Sequence, residues 1–416
     1  MPILIKMILL IIIKIEEMDQ LPSDILLCII AYVDSKTLLS ICSVSYRFVE
    51  LNLESLLRQK LTHLSRLNLK NHNLKRLINL IKFPFKSDRI SACNYYSMIL
   101  ANSQIYVFDT NALINTPTLI NNIIDMSAGE MHSIILNNEG QIYTFGDNSY
   151  GQLGLGDNTR KNTLISNIHN IVAISGGGYH SIILNDNSQI YTFGNNDYGQ
   201  LGLGDNIDRN VPTLISDIYN IIAISAGRYH SIILNDNSQI YTFGDNGGGQ
   251  LGLGDTIDTN IPTLISDIYN VVAISAGGGR SMILDNRGQI YTFGANNYGQ
   301  LGLGDNINRN ILTLIPDIHN IIAISAGDYH SIILNERGQV YTFGHNHYGQ
   351  LGLGDNIGRN KPTLIANISN IIAISAGNYR SMILNDNILI FGNNQGQLQL
   401  GDNIDRNRPT LLNINL

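Results

Sequence analysis

One seven-residue motif is repeated five times in this chain of 416 residues. Gly-Gln-Leu-Gly-Leu-Gly-Asp begins at Gly151, Gly199, Gly249, Gly299 and Gly349, so the first interval is 48 residues and the next three are 50 residues each. Self-similarity with a period of about 20 to 50 residues is typical of solenoids, propellers and repeat arrays. A catalytic loop normally occurs once in a chain, so five copies indicate a repeated architecture.

Each repeat unit contains three or four short apolar runs, rich in Ile, Tyr, Phe and Thr. In one unit they lie within residues 220–234, 239–244 and 262–265, separated by Gly, Asn, Asp and Pro. Such runs predict β-strands joined by tight turns. None reaches the roughly 10 to 12 residues expected of a helix. Four short strands make one blade of a β-propeller.

The number of units predicts the number of blades. An Ala-Gly-x-x-His element or a variant of it begins at Ala128, Gly176, Ala226, Ala276, Ala326 and Ala376, and a degenerate copy spans Ser91–Ser97. Seven units therefore lie between about Pro84 and Leu416, which predicts a mainly β fold with a seven-bladed propeller over residues 83–416. An open ring would leave two unpaired sheet edges. We therefore expect the C-terminal strand near 410–413 to pair with the first unit, around 90–108.

In its Ala-Gly-x-x-His, Tyr-x-x-Gly-x-Asn and Gly-Gln-Leu-Gly segments, the unit resembles the repeat of the regulator of chromosome condensation family. The resemblance covers about four fifths of the chain. It implies a propeller, but propellers of this family serve exchange factors, ligases and scaffolds alike, so the fold does not define the function.

The first eighty residues have a different pattern. Residues 19–80 contain no Gly and a single Pro, Pro22, and their apolar residues fall at helical spacing. Ser23 or Asp24 is a candidate N-cap for one helix and Ser35 for the next. We predict a small all-α domain over residues 18–82.

The segment from Leu21 to Phe48 resembles an F-box. It has the Leu-Pro opening, the apolar stripe to Tyr32, an Asp-x-x-x-Leu-Leu step and a Val-Ser-x-Arg-Phe ending, but no Trp, and Leu56-Leu57-Arg58 occupies that later region. The alternative is an ordinary helical cap on a propeller. The F-box resemblance implies docking of a Skp-type adaptor by an apolar face comprising Leu21, Pro22, Ile25, Leu26, Ile29, Leu38, Leu39, Val44 and Phe48.

Residues 1–17 form an apolar leader that we leave unassigned. The run from Ile8 to Ile13 is far shorter than the about 20 residues that a membrane-spanning helix needs, and no small-residue cleavage site follows it. Translation starting at Met18 and a short interfacial helix both remain open.

Composition and charge favour an intracellular protein, cytoplasmic or nuclear. The cysteines Cys28, Cys42 and Cys93 do not recur with the repeat and show no metal-site spacing, as expected of small core residues in a reducing compartment. Beyond Asp88 the chain has 14 basic and 25 acidic residues. An acidic propeller is a poor partner for nucleic acid, whose phosphates are bound mainly by basic side chains.

The repeated polar residues favour structural roles over chemistry. His132, His180, His230 and His330 could suggest a ring of metal ligands, but the equivalent residues elsewhere are Tyr96, Arg280 and Arg380, so we expect each His to bond backbone at a strand start. The loop glycines fit tight turns with positive φ better than a phosphate cradle, and pairs such as Asp205-Asn206 fit turns better than a Ca²⁺ loop. We therefore predict no catalytic site, no metal and no cofactor.

One arginine recurs in the linkers that follow the repeated motif. A ring of arginines could bind acidic ligands, but a solvated and partly neutralised rim is the favoured interpretation. The series is broken by Thr259 and otherwise comprises Arg160, Arg209, Arg309, Arg359 and Arg406.

Tyrosines occupy two positions at which neighbouring residues vary between otherwise similar units. Exposed Tyr offers rigid apolar area with a polar tip, which suits protein contacts, whereas neutral drift in loops is the alternative. The predicted target-binding residues are Tyr179, Tyr229, Tyr329 and Tyr379 after Ala-Gly, and Tyr150, Tyr198, Tyr298 and Tyr348 before Gly-Gln-Leu.

These features together predict a substrate receptor of a cullin–RING ubiquitin ligase, with no catalysis of its own. The F-box would dock the adaptor and the propeller would bind a target protein. The alternatives are a guanine-nucleotide exchange factor for a small GTPase and a non-catalytic scaffold. The regular spacing of the repeats, with no long insertion, speaks against an exchange factor.

Overall fold

The structure, a computed structural model, describes residues 90–93, 96–101, 104–109, 120, 122–266, 268–394 and 400–412. These residues form 27 strands in seven antiparallel sheets, and the strands of each sheet follow one another in chain order. Each sheet is one blade, so the prediction of a seven-bladed propeller is confirmed. The predicted leader, the helical domain over 18–82 and all nine predicted adaptor-binding residues lie outside the described residues.

The first blade has three described strands and the other six have four. Blade 1 consists of β1 (Ile90–Ala92), β2 (Tyr96–Ala101) and β3 (Gln104–Asp109). Blade 2 consists of β4 (Ile123–Ala128), β5 (His132–Asn137), β6 (Ile142–Gly146) and β7 (Thr163–Leu164). Blade 3 consists of β8 (Ile171–Gly176), β9 (His180–Asn185), β10 (Ile190–Gly194) and β11 (Arg209–Leu214). Blade 4 consists of β12 (Ile221–Ala226), β13 (His230–Asn235), β14 (Ile240–Gly244) and β15 (Thr259–Ile265).

The remaining three blades repeat the same pattern. Blade 5 consists of β16 (Val271–Ala276), β17 (Arg280–Asp285), β18 (Ile290–Gly294) and β19 (Arg309–Leu314). Blade 6 consists of β20 (Ile321–Ala326), β21 (His330–Asn335), β22 (Val340–Gly344) and β23 (Arg359–Leu364). Blade 7 consists of β24 (Ala373–Ala376), β25 (Arg380–Leu384), β26 (Ile388–Gly392) and β27 (Arg406–Leu411).

The hydrophobic core lies between successive blades. Every residue of the second strand β13 is buried, whereas the fourth strand β11 has no buried residue. Phe243 of blade 4 packs on Leu184 and Ile190 of blade 3 in one buried cluster. Because each blade buries its face only against its neighbours, no single unit has a core of its own.

A buried histidine side chain links one blade to the next at four of the junctions, from His132, His180, His230 and His330. His180 Nε2 is 3.0 Å from Ser231 Oγ of the following blade, and Ser231 Oγ donates to Gln200 O at 2.8 Å. Gly227 lies directly against the ring of His230, because a Cβ there would be 2.4 Å from its Cε1 atom. Each His thus bonds a serine hydroxyl one repeat away, which the sequence did not predict, while His230 and His330 also hydrogen-bond the backbone of Arg280 and Asn378, as expected. The buried arginine Arg280 serves the equivalent junction between blades 5 and 6, donating from Nε to Ser331 Oγ at 3.2 Å and from Nη1 to Asp328 O at 2.9 Å.

A second series of bonds closes the ring. The first strand of each blade carries a serine whose hydroxyl accepts from a backbone N–H of the next blade, as Ser225 Oγ does from Ala276 N at 2.9 Å. The last bond of the series joins Ser375 Oγ of blade 7 to Ala92 N of blade 1 at 3.0 Å. The seven blades therefore form a closed ring.

The predicted pairing of the C-terminal strand with the first unit is wrong. β27 pairs with β26 of its own blade, with Leu411 opposite Leu389 and Thr410 opposite Ile390. The physical reason is that each unit supplies all its own strands, so the last segment takes the same place as the fourth strand of every other blade. Closure occurs through β1, and the adjoining Leu412 packs in one core cluster with Ile90 and Ile99.

Two further predictions about single residues are confirmed. Cys93 is a buried free cysteine. The turn that begins the repeated motif requires a glycine with a positive φ, as Gly199 shows with φ 81°. A Cβ on Gly199 would also come within 2.5 Å of Asn260 Cα in the next blade. Among the residues that the structure describes, no helix has the length and apolar character needed to cross a bilayer.

Candidate protein-binding face

The variable loops of all the four-stranded blades lie on one face of the propeller. In blade 4, His230 pairs with Gly244, and Gly244 pairs with Thr259, so the first and third connections of the blade meet at the same end. The face formed by these connections carries all eight predicted target-binding tyrosines, and we call it the tyrosine face. The opposite face is formed by the second connections and by the links between blades.

Tyrosines on this face form pairs across blade junctions. The tyrosine before Gly-Gln-Leu in one blade contacts the tyrosine after Ala-Gly in the next. The ring centroids are 5.5 Å apart for Tyr150 and Tyr179, 5.2 Å for Tyr198 and Tyr229, 5.7 Å for Tyr298 and Tyr329, and 5.0 Å for Tyr348 and Tyr379. Aromatic pairs at such distances contribute about 0.5–1.5 kcal/mol each beyond burial.

The pairs merge into two aromatic clusters. Tyr179 stacks on Tyr229 at 6.0 Å, and Tyr329 stacks on Tyr379 at 5.0 Å. We call the first cluster, Tyr150, Tyr179, Tyr198 and Tyr229, cluster one. Cluster two consists of Tyr298, Tyr329, Tyr348, Tyr379, His345 and His347. The structure thus brings together every tyrosine that the sequence singled out, while target binding by these residues stays a prediction.

Cluster two also includes His345, which the sequence did not single out, and His347, which stands at a varying position next to Tyr348. The His345 ring lies 4.8 Å from Tyr298 and 6.1 Å from His347, and its Nδ1 atom is 2.8 Å from Gln350 Nε2. Burial, and then the neighbouring His347, lower the pKa of His345. His345 is therefore a neutral aromatic group near pH 7.

Charged side chains converge near the propeller axis on the same face. Arg228 of blade 4 reaches across to Glu130 of blade 2, with Nε 3.4 Å from Oε2, and its guanidinium lies 5.4 Å from the ring centre of Tyr229. Burial raises the pKa of Asp328 to about 6, the carboxylate of Glu130 adds to the rise, and Arg228 and Arg280 oppose it. Burial alone would lower the pKa of Arg228, but Glu130 and Asp328 outweigh it and raise that pKa.

Glu130, Arg228 and Asp328 stand at a varying position that the sequence indicated for target contact, although only the tyrosines were selected as site residues. They follow Ala-Gly directly, one position before the tyrosines, where the units differ most. The varied residues at this position were visible in the sequence, but only the closed ring shows that blades 2, 4 and 6 bring Glu130, Arg228 and Asp328 together.

The arginines of the linkers form a neutralised rim, as favoured from the sequence. Arg209 Nη2 lies 2.6 Å from Asp205 Oδ2, and the same pair recurs as Arg309–Asp305, Arg359–Asp355 and Arg406–Asp402. Arg160 instead pairs with Asp147 at 2.9 Å. The carboxylate of Asp205 also accepts from Ile207 N at 3.0 Å, which confirms the turn role expected of these Asp residues. The guanidinium groups are therefore already occupied by carboxylates.

The corresponding loops of blades 3 to 7 expose one isoleucine each at the outer edge of the tyrosine face. Their exposed fractions run from 64 to 71 %. The sequence reasoning did not select them, although their recurrence beside the arginine was visible. They are Ile207, Ile257, Ile307, Ile357 and Ile404.

The buried histidines are spread singly over the blades. Within the described part of the chain, no group of three or more His, Cys, Asp or Glu side chains is arranged to hold a metal ion. The tyrosine face therefore offers aromatic, aliphatic and charged contact groups, which suit binding of another protein.

Comparison with known protein families identifies both parts of the chain. The family model described as the regulator of chromosome condensation (RCC1) repeat matches residues 139–184, 187–234, 237–284, 287–334 and 337–384, which is more than half of the chain. A second model with the same description matches five segments between 123 and 350. The F-box domain model matches residues 18–51.

Solved structures show the same fold at low identity. The chain superposes on yeast RCC1 (Prp20), in a crystal structure with Kap60 bound, with a TM-score of 0.64 at 20 % identity, covering 70 % of this chain and 75 % of that one. Human WBSCR16 gives a TM-score of 0.64 at 20 % identity over 74 % of this chain and 84 % of that chain.

A curated relative matches over a short stretch only. It is a bifunctional serine/threonine-protein kinase/NEDD4-like E3 ubiquitin-protein ligase of Dictyostelium discoideum, 42 % identical over 55 residues, which are 12 % of this chain. This chain spans 3 % of the length of that relative. The chain belongs to the regulator of chromosome condensation (RCC1) repeat family, and it carries an F-box domain ahead of its repeats.

Proposed function

We propose that this chain is a substrate receptor of a cullin–RING ubiquitin ligase. Its F-box would bind a Skp-type adaptor, and the tyrosine face of its propeller would bind the protein to be modified. The observation that carries the proposal is the F-box match at residues 18–51 in the same chain as a propeller with one aromatic face. The receptor would act in the cytoplasm or nucleus, without a catalytic site or cofactor of its own.

The character of the tyrosine face supports the target-binding half of the proposal. Its tyrosines form two continuous clusters, and Tyr150, Tyr198 and Tyr298 are each exposed. Tyr is enriched among residues that dominate binding energy at protein interfaces, because it loses little conformational entropy when it is fixed. The rim arginines are engaged with carboxylates, so nucleic acid remains an unfavourable partner.

The adaptor half is tested by charge reversal in the apolar stripe of the F-box. We expect Leu26→Asp with Leu39→Asp to abolish recovery of a purified Skp-type adaptor in a pull-down. A carboxylate placed in an apolar contact costs on the order of a few kcal/mol.

The matched control places the same two charges on the propeller. Tyr219 and Tyr269 are among the most exposed residues, on the opposite face, so Tyr219→Asp with Tyr269→Asp should leave adaptor recovery unchanged. Undiminished adaptor binding by the Leu26/Leu39 variant, with an unchanged thermal unfolding curve, would refute the docking assignment.

The target half is tested by removing aromatic rings from the tyrosine face. We expect replacement of Tyr179, Tyr229, Tyr329 and Tyr379 by Ser to reduce the recovery of specific bound proteins at least tenfold in quantitative mass spectrometry. Adaptor recovery should stay the same, because the F-box is untouched. Tyr219→Ser with Tyr269→Ser is the control on the opposite face. An unchanged set of bound proteins would place the binding surface elsewhere on the chain.

A further inference from the structure

Five junctions join blades 2 to 7, and four of them carry a tyrosine pair on the tyrosine face. The fifth has no tyrosine at either position. At the junction between blades 4 and 5, Gly248 stands where the other junctions have Tyr150, Tyr198, Tyr298 or Tyr348, and Gly279 stands where they have Tyr179, Tyr229, Tyr329 or Tyr379. The two residues that would contact each other are thus both reduced to Gly, while the four remaining pairs are intact.

The missing rings leave a notch between the two aromatic clusters. A Cβ on Gly248 would lie 3.4 Å from Ala295 Cβ, and a Cβ on Gly279 would meet only Ala295 Cβ, at 3.8 Å. Gly248, Gly279 and Ala295 therefore line one space, which we call the glycine notch. The chain order of the blades places it between Tyr229 of cluster one and Tyr329 of cluster two.

The backbone at the notch keeps the conformation of the other junctions. Gly248 N donates to Gln250 Oε1 at 2.8 Å, as Tyr198 N donates to Gln200 Oε1 at 3.0 Å. Neither Gly248 nor Gly279 has a positive φ. The backbone φ therefore admits tyrosine at both positions, and a Cβ on Gly248 needs a small shift of its neighbours, since it would lie 3.1 Å from Gln250 Oε1 and 3.3 Å from Ala295 N.

The same sector lacks the arginine that neutralises the other loops. In blade 3, Arg209 forms an ion pair with Asp205 at 2.6 Å. In blade 4, Thr259 stands where the arginine would be, so Asp255 does not form the equivalent ion pair. From residue 245 to 265 the chain has three carboxylates, Asp245, Asp255 and Asp258, and no basic residue. The equivalent segments of blades 2, 3, 5, 6 and 7 each contain at least one arginine.

A fourth carboxylate borders the notch from the side of the axis. A Cβ on Gly278, next to Gly279, would lie 3.1 Å from Asp328 Cγ. Asp328 therefore lies at one edge of the notch, the blade that carries Gly248 has three acidic and no basic residues between 245 and 265, and the two aromatic clusters flank the notch in blade order. Carboxylates and aromatic faces together are complementary to a planar cation.

The tyrosine face already shows how such a cation is held. The guanidinium of Arg228 lies 5.4 Å from the ring centre of Tyr229 while its Nε is 3.4 Å from Glu130 Oε2. Arginine stacks on aromatic faces and pairs with carboxylates in a fixed plane, which lysine does not reproduce.

We propose that the glycine notch binds an arginine side chain from an extended segment of the target protein. The proposal rests on the proposed function of the tyrosine face as the target-binding surface, and it adds the chemistry of the target segment. The arginine occupies the space of the missing tyrosine pair and supplies a positive charge to a segment, residues 245–265, that contains Asp245, Asp255 and Asp258 but no basic residue.

The test uses the full chain and a phage-displayed library of random twelve-residue peptides as the probe. Two variants restore what the neighbouring units contain. Gly248→Tyr with Gly279→Tyr fills the notch, and Thr259→Arg supplies the missing partner of Asp255 without touching the notch. Both changes reproduce residues that other blades accommodate, so both variants should unfold at nearly the same temperature as the parent chain.

We expect the selected peptides to be enriched in arginine. Their affinity should fall at least tenfold for the filled notch and about threefold to tenfold for Thr259→Arg, because the first variant removes the space and the second only the charge. Replacing the peptide's arginine by lysine should also weaken binding at least threefold.

Several outcomes would overturn the proposal. They are selected peptides without arginine enrichment, arginine peptides that bind the filled notch as tightly as the parent chain, and recovery of no binding peptide at all. Adaptor recovery is measured on the same variants and should be unchanged. A failure at the notch is thereby separated from a failure of the F-box assignment.

Discussion

At the scale of the residue, one position of the repeat must donate a hydrogen bond to the next blade. Three residue types fill this position: His, Tyr and Arg. Ser231 donates its only hydroxyl hydrogen to Gln200 O, so His180 must be the donor in its bond to Ser231, through a hydrogen on Nε2. Its Nδ1 atom is buried without a hydrogen-bond partner. A second proton there would place an uncompensated charge in the core. Tyr96 and Arg280 serve equivalent junctions: the O–H of Tyr96 donates to His132 O, and the guanidinium of Arg280 donates from Nε to Ser331 Oγ.

The pKa values of these histidines predict acid sensitivity. Burial lowers the pKa of His132 to about 4, and lowers the pKa of His180, His230 and His330 to about 3. The unfolded chain binds protons on these groups below about pH 6.5, whereas the folded chain does not until about pH 4. The stabilising contribution is therefore complete above pH 6.5 and is lost as the pH falls, by about 1.4 kcal/mol per histidine and pH unit.

We expect the free energy of unfolding to fall by roughly 6 kcal/mol between pH 7 and pH 5, measured by urea titration. The four histidines together would lower the free energy of unfolding by about 8 kcal/mol. Asp328, whose pKa is raised in the folded chain, would raise it by about 1.4 kcal/mol over the same pH range. His180→Gln keeps an N–H donor without the titration, so it should reduce the loss by about 2 kcal/mol. The exposed His319→Gln is the control and should change nothing. Equal losses in the parent and His180→Gln would contradict this account.

At the scale of the element, the sequence predicted strands well because strand signals are local. Alternating apolar and aromatic runs between Gly, Asn and Asp gave the strands of each blade, and Gly199 lies in the positive-φ turn expected of it. The partner of each strand edge was harder to assign. The bond from His180 to Ser231 spans 51 residues, about one repeat period, and no local pattern shows that the next blade supplies a serine side chain as the partner.

The candidate site was predicted in its composition but not in its arrangement. The sequence named all eight tyrosines, because they recur at two positions of the repeat. It did not show that the tyrosine before Gly-Gln-Leu reaches forward to the next blade, which makes Tyr198 and Tyr229 a pair 5.2 Å apart. For the same reason Gly248 and Gly279 looked like two separate departures from the repeat, although they face one space.

At the scale of the whole molecule, ring closure was assigned to the wrong strand. The expectation of pairing between the last strand and the first unit came from the cost of unpaired edges, which is a sound argument for closure. That expectation did not consider where the repeat begins and ends within each blade. Because every unit fills its own sheet, the ring closes by packing and by the bond between Ser375 and Ala92, in the same way as each interior junction.

This equivalence of junctions leads to a prediction about cooperativity. Ser375→Ala removes the closing bond at 3.0 Å, and Ser225→Ala removes the matching interior bond, from Ala276 N, at 2.9 Å. Each change leaves a partly buried backbone N–H without its acceptor, which costs about 1–3 kcal/mol. If the propeller unfolds as one closed ring, both variants should lower the free energy of unfolding in urea by the same amount, within about 0.5 kcal/mol.

The contrary case is a junction between blades 7 and 1 that opens before the rest of the ring unfolds. Ser375→Ala would then leave the free energy of the main unfolding transition nearly unchanged, while Ser225→Ala would still lower it. Equal losses therefore identify a propeller whose seven junctions are energetically alike, whereas a silent Ser375→Ala would show that the chain ends are held more weakly than the bond geometry indicates.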